Sequence, residues 1–382
     1  GRATVLAVQP VRPGRDSTLV AELAALRNLV RRLESGDHAD FALAALQRER
    51  RRQEASVREH VLQTPGTALH EAQRFDVGEL LNRLGAADLI ELVDVDGQLH
   101  AVVAGRGRLR MHHIGPTAAA DHALARALFA LRREGTRADG RLGVLDLDLI
   151  GDRLEDDLFG GASTLLGSGP AVVVPTSRLH SVPWNLLPTL RDRPTTVVPS
   201  AATWLRALQT APPPGARVVL VGGPQLSTGT EEVRRLAVQY PEAVLLAEGT
   251  ATVEKVMRAL DGAWLAHIAA HGTFRVDSPF FSALQLDDGP LTVDDLERLD
   301  RAPHRVVLSS CNTAAGGPSG ADGLIRLGIA LVPLGAVGVV ASVVPVDDPG
   351  TIPLMLALHE PLRAGFTLAE GIHLARRAVS DE

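Results

Sequence analysis

His271 and the chain's single cysteine, Cys311, stand forty residues apart, each at the end of a short apolar run. The first run closes on Ala269, Ala270, His271 and Gly272, the second on Ser309, Ser310, Cys311 and Asn312. A thiol beside an imidazole can pass its proton to the ring and attack an electrophilic carbonyl, and the same ring can later protonate the leaving group. Glycine at 272 leaves room for a substrate backbone. The backbone N–H groups of Gly272 and Cys311 are the candidate donors to a developing oxyanion. With one cysteine, neither an internal disulfide nor a Cys-based zinc site can be built within the chain. Cys311 is therefore either a small packed side chain or a reactive one.

For His271 and Cys311 to meet, the two runs must be neighbouring strands. Residues 211–215, with three consecutive prolines, read as an extended linker, after which strand and helix alternate regularly. Nearly continuous apolar runs predict buried parallel strands over 217–221, 243–246, 264–270, 305–309 and 337–343. Helices are predicted over 230–240, 252–260, 294–299 and 321–332, with two more after the last strand and a small hairpin over 274–289. Sheets of this kind bind ligands at the carboxyl ends of their strands, where His271 and Cys311 fall. Before the linker, Leu19, Leu23, Leu26, Val30 and Leu33 share one helix face. A second helix over 40–62 makes an N-terminal helical hairpin. Two antiparallel strands, 89–95 and 99–103, are joined by Asp96 and Gly97, a pair suited to a tight turn. Helices over 118–133 and 142–158 and a buried strand over 171–174 complete a first α/β unit. The expected divisions are 1–65 helical, 66–210 first α/β unit and 211–382 second α/β unit.

Composition narrows the function. Aromatics make up 3% of the 382 residues and the net charge is -6, so a nucleic-acid partner is disfavoured. The Arg48, Arg50, Arg51, Arg52 run is interleaved with Glu49 and Glu54 and reads as a solvated helix face. The apolar stretch 325–346 is broken by Pro333, Gly335, Gly338 and Pro345, which argues against a membrane span. No signal peptide is visible and Gly1 looks like the start of a fragment, so the cytoplasm is the expected location. Gly222 and Gly223 lack the Rossmann spacing and a Walker lysine and read as a turn. No G-x-S-x-G elbow appears. No cofactor is implied and no metal ligand set is evident; His267, His180 and His304 read as structural or surface histidines.

The run His267, Ile268, Ala269, Ala270, His271, Gly272, followed at forty residues by Leu308, Ser309, Ser310, Cys311, resembles the CHAT family of caspase-like and separase-like bacterial peptidases. The likeness extends to residues 278–282 after the histidine and 343–348 after the cysteine. It also reaches back to 178–188, similar to a segment near the end of that family's catalytically silent first half. It covers roughly 70 to 382. The family often has Ala where Ser310 stands and Trp where Val344 stands; neither change removes a reacting group.

The resemblance implies an α/β fold with a caspase-like, mostly parallel sheet flanked by helices. It implies a tandem of pseudo-caspase and active caspase-like halves, here behind an N-terminal helical hairpin. The implied activity is a cysteine endopeptidase with His271 and Cys311 as a dyad and no required third acid. The implied context is bacterial stress, defence or programmed death, with a protein substrate and a regulatory protein partner at the N-terminal helices. For specificity, Ser309 stands two before the nucleophile, where some relatives carry an acid. Asp347 and Asp348 fall where separase-like relatives place a pocket acid that would pair with arginine; helix capping is the competing role. The rival to the peptidase is a scaffold that keeps the fold and binds a protein without cutting it.

Overall fold

Two five-stranded sheets organise the chain, and a computed structural model describes residues 11–12, 17–34, 40–63, 67–68, 75–135, 147–224, 226–273, 283–309, 331–342 and 348–380. Strand β1 (Val11–Arg12), helices α1 (Ser17–Glu34) and α2 (Asp40–Gln63) and strand β2 (Thr67–Ala68) come first. The helices pack on each other, with Leu26, Leu29 and Val57 buried, and the two short strands pair antiparallel.

The first sheet follows α3 (Val77–Leu84) and contains β3 (Asp88–Val95), β4 (Gln98–Gly105) and β5 (Arg108–Pro116). Beyond α4 (Thr117–Gly135) and α5 (Leu147–Leu158) come β6 (Ala171–Val174), β7 (Thr195–Val197) and α6 (Ala201–Gln209). The order is β5-β4-β3-β6-β7, antiparallel through β5, β4 and β3 and parallel through β3, β6 and β7. Asp96 and Gly97 turn the first hairpin with φ of 53° and 77°, as their types predict. Arg106 and Gly107 turn a second with φ of 51° and 70°, adding β5, which sequence pattern did not reveal. Being an edge strand, β5 leaves most of its residues exposed and has no apolar face to read. Helices α4 and α5 cover one face of this sheet, α3 and α6 the other.

The second sheet is parallel throughout, in the order β15-β14-β10-β8-β9. Its elements run β8 (Val218–Gly222), α7 (Ser227–Gln239), β9 (Val244–Leu246), α8 (Val253–Leu260) and β10 (Leu265–Ala269). Then come β11 (Gly272–Thr273), β12 (Ala283–Leu286), β13 (Gly289–Thr292), α9 (Val293–Glu297) and β14 (Arg305–Leu308). The last are β15 (Gly338–Ala341), α10 (Asp348–Arg363) and α11 (Leu368–Ser380). Alternate residues of β10 serve two cores: Ala266 and Ile268 pack towards α8 and α9, Leu265 and Ala269 towards α7, α10 and α11. Helix α11 rests on β15 and reaches β7 of the first sheet.

Strands β11, β12 and β13 form a separate antiparallel sheet against which α1 packs. The hairpin expected over 274–289 thus lies further along the chain, ending at Thr292; residues 274–282 are outside the described residues. The hairpin shifts because Asp287 and Asp288 make its turn and are tied to the start of α8. Asp287 Oδ2 accepts the Ala251 N–H at 2.7 Å and Asp288 Oδ1 accepts the Val253 N–H at 2.8 Å. Of the helix predicted over 321–332, only the last two residues are described, and Val332 opens a single 3₁₀ turn to Leu334.

Candidate active site

The two apolar runs that lead to His271 and Cys311 are the neighbouring parallel strands β10 and β14. Their pairs, from Leu265↔Arg305 to Ile268↔Leu308, hold a constant offset of forty residues. Ser309, just past β14, continues that pairing by donating its N–H to the Ile268 carbonyl at 3.0 Å, and is half-buried. Adjacent strands lie about 4.8 Å apart, so residues level with each other at these ends are side-chain neighbours.

His271 is the first residue after Ala270 at the end of β10, half-buried, where the central sheet gives way to the small one. Its carbonyl accepts the Gln285 N–H at 2.8 Å. His271 and Gln285 therefore occupy a hydrogen-bonded position of the β11–β12 ladder. Gly272, opposite Leu284, falls at a non-hydrogen-bonded one with its N–H directed away from β12. On the other side, the Gly223 N–H donates to the Ala269 carbonyl at 2.8 Å. A Cβ on Gly223 would lie 2.6 Å from Ala270 Cβ and 2.7 Å from the Gln285 carbonyl oxygen. Gly223 is thus packed closely against Ala270, the residue before His271, a role that its sequence did not disclose.

Cys311 and Asp347 lie outside the described residues. Asp348 is the first residue of α10. The structure thus brings the strands of His271, Gly272 and Ser309 to one rim. Among the described residues no cluster of three or more His, Cys, Asp or Glu side chains could hold a metal ion. Among the same residues no helix is long and apolar enough to cross a membrane.

His267, read from sequence as structural, is fully buried and belongs to a polar line that sequence did not reveal. Its Nε2 lies 2.7 Å from Glu232 Oε1 on α7, and its Nδ1 lies 3.0 Å from His359 Nε2 on α10. His359 Nδ1 is 3.1 Å from the hydroxyl of Tyr240, the residue that ends α7. Burial, with His267 beside it, holds His359 well below the ordinary histidine range, so its ring is neutral. Burial pushes Tyr240 up to about 12, against the opposing pull of Arg363 and Arg305, so its hydroxyl keeps its proton. Glu232 and His359 are 35 and 92 residues from His267 in sequence, and no spacing rule connects them.

A family model for the CHAT domain matches residues 149–382, well over half of the chain. The chain belongs to the CHAT domain family. The match begins within α5, so the family model carries the resemblance from there and not from about residue 70. The CHAT fold here is similar to chains in two crystal structures of the Saccharomyces cerevisiae separase–securin complex. One has a TM-score of 0.58 at 12% identity, over 78% of this chain and 29% of that chain. The other has a TM-score of 0.53 at 11% identity, over 74% of this chain and 28% of that chain. This CHAT chain thus spans under a third of the length of the chains it matches, and at such identity the likeness is one of fold: a caspase-like α/β architecture of parallel sheets flanked by helices. No curated protein matches the sequence.

Proposed function

We propose that this chain is a cysteine endopeptidase in which His271 and Cys311 act as a dyad. The observation that carries the reading is the register of β10 on β14, whose offset of forty residues equals the separation of His271 and Cys311. His271 takes the Cys311 thiol proton as sulfur attacks the scissile carbonyl carbon. The ring returns that proton to the leaving amine as the C–N bond breaks, which leaves a thioester. Water, deprotonated by His271, then hydrolyses the thioester and releases the acid with Cys311 restored. The Gly272 N–H, directed away from β12, and the Cys311 N–H are the donors assigned to the oxyanion. Ser309, Asp347 and Asp348 are assigned to the pocket for the residue before the cut, with arginine as its partner if either aspartate faces inward.

In this reading residues 66–210 form the silent half, 211–382 the catalytic half and 1–65 a regulatory helical region that receives a protein partner in a bacterial stress or death pathway. Two facts support regulation from that region: α1 packs against β13, and β13 belongs to the sheet whose first strand begins one residue after His271. Two structures similar to this chain come from a complex of separase with securin, which accords with control of this fold by a bound protein.

The test is cleavage of a diverse peptide library by the wild type and by Cys311→Ala, with thiol alkylation run in parallel. Cuts that disappear in Cys311→Ala are expected, as is alkylation of Cys311 that slows about 10²-fold or more in His271→Ala. Absence of cuts together with equal alkylation in wild type and His271→Ala would replace the peptidase by a binding scaffold.

A further inference from the structure

The polar line through the second core is unused by the dyad, and its cost demands a reason. Glu232 is 2% exposed, and His267 and His359 are fully buried. Burying a charged group costs several kcal/mol unless it is paired and hydrogen-bonded, and apolar side chains of similar volume often stabilise a core as well or better. His267 Nε2 faces the Glu232 carboxylate at 2.7 Å. His267 Nδ1 faces His359 Nε2, and the Tyr240 hydroxyl lies beside His359 Nδ1 and donates to the His359 carbonyl at 3.3 Å. These contacts join the four side chains in one line and hold both rings in place.

The packing of α7 shows what such a fixed line can do. The turn before α7 and its first two turns run back along β10 from the end nearest His271. Gly223 packs against Ala270, Gly229 comes to the Ala269 carbonyl, which a Cβ there would approach to 3.1 Å, and Glu232 grips His267. The glycine contacts set how close helix and strand approach, and the Gly223 N–H bond to the Ala269 carbonyl sets the level of the turn on β10. The Glu232–His267 bond ties the second turn of α7 to the same strand and so braces the Gly223 turn where it meets Ala270, the residue before His271.

We propose that Glu232 and His267 are positioning residues for His271, locked in turn by His359 and Tyr240. The inference rests on the reading of His271 as the base and adds a tie, on the far side of the sheet from α8 and α9, that holds it in place. The test uses the full chain with Glu232→Ala, Glu232→Gln and Leu236→Ala. Leu236, fully buried one turn further along α7, controls for lost packing alone. In Glu232→Ala, Cys311 alkylation is expected to slow about ten-fold. The imidazole ¹H–¹⁵N resonance of His271, assigned by its loss in His271→Ala, is expected to shift. Glu232→Gln retains an acceptor and should recover most of both signals, whereas Leu236→Ala should melt at lower temperature with neither signal changed. Tyr240→Phe removes only the outer hydroxyl and should move the His271 resonance less, in the same direction; it serves as the reading if Glu232→Ala does not fold. A His271 resonance that stays put in the Glu232 and Tyr240 variants, or moves equally in Leu236→Ala, overturns the inference whatever the cysteine does. Wild-type Cys311 that alkylates no faster than in His271→Ala sinks the dyad instead, and the resonance comparison still decides the positioning role.

Discussion

Both five-stranded sheets carry helices on their two faces, yet they differ in what they bury. In the first, the core under α4 and α5 is aliphatic, with Phe159 stacked on Trp184 at 5.9 Å between ring centroids. Its buried carboxylate, Asp88, sits at the start of a strand and holds a loop by accepting the Gly167 N–H at 2.6 Å. In the second, a carboxylate and two imidazoles lie mid-core against the central strand. The strand tied by this polar line is β10, which ends two residues before His271.

The largest effect expected from this contrast lies in the first sheet. Trp184→Ala should cost about 3–5 kcal/mol in denaturant unfolding, while Cys311 alkylation, measured on the folded fraction at low temperature, stays at the wild-type rate. Alkylation that fell in step would break the contrast. Next come two glycines held against backbone, Gly169 facing the Ala86 carbonyl in the first half and Gly223 facing Ala270 in the second. Alanine at either position overpacks and should cost about 1–3 kcal/mol. Only Gly223→Ala should also slow alkylation, since Ala270 directly precedes His271.

The pH dependence of stability should come largely from the second half. His304 is lowered to about 4 by burial, with Arg305 and Arg301 adding to the effect, and His359 is lowered by burial. Between the ordinary value of 6.5 and the folded value, the unfolded chain binds more protons than the folded one. Stability is therefore intact above about 6.5 and declines as pH falls towards 4. Melting temperatures across that range should show His304→Gln losing less than the wild type, by about 1–2 kcal/mol near pH 4.5. The smallest effect is of opposite sign. Glu297 is raised to about 7 by burial, with Asp294 adding to the shift, so the folded chain binds more protons between its ordinary 4.5 and 7, and stability falls as pH rises through that window. Glu297→Gln should gain about 1 kcal/mol at pH 8 and nothing at pH 4; a gain at both would point to packing instead of charge.

Local pattern made much of this architecture legible. The apolar runs at 264–270 and 305–309 contain β10 and β14, the run at 171–174 is β6, and Asp96 and Gly97 form the turn their types predict. Edge and partly exposed elements escaped: β5 shows water most of its residues, β7 is three residues long, and α3 has only two buried side chains. The β12–β13 hairpin was displaced because carboxylates at its turn answer to the first N–H groups of a helix some 35 residues earlier, a partner that no local reading contains.

Sequence by itself determined which residues can do chemistry and that each follows a strand-like apolar run, because side-chain type and apolar period are local properties written along the chain. Only the tertiary structure decided that β10 and β14 are adjacent in a register of forty, that Gly223 packs against Ala270, and that Glu232 and His359 converge on His267 with Tyr240 beyond His359. Those arrangements join segments up to 119 residues apart. They arise because buried polar groups must find partners wherever packing brings them, which depends on the folded whole and on no single stretch of it.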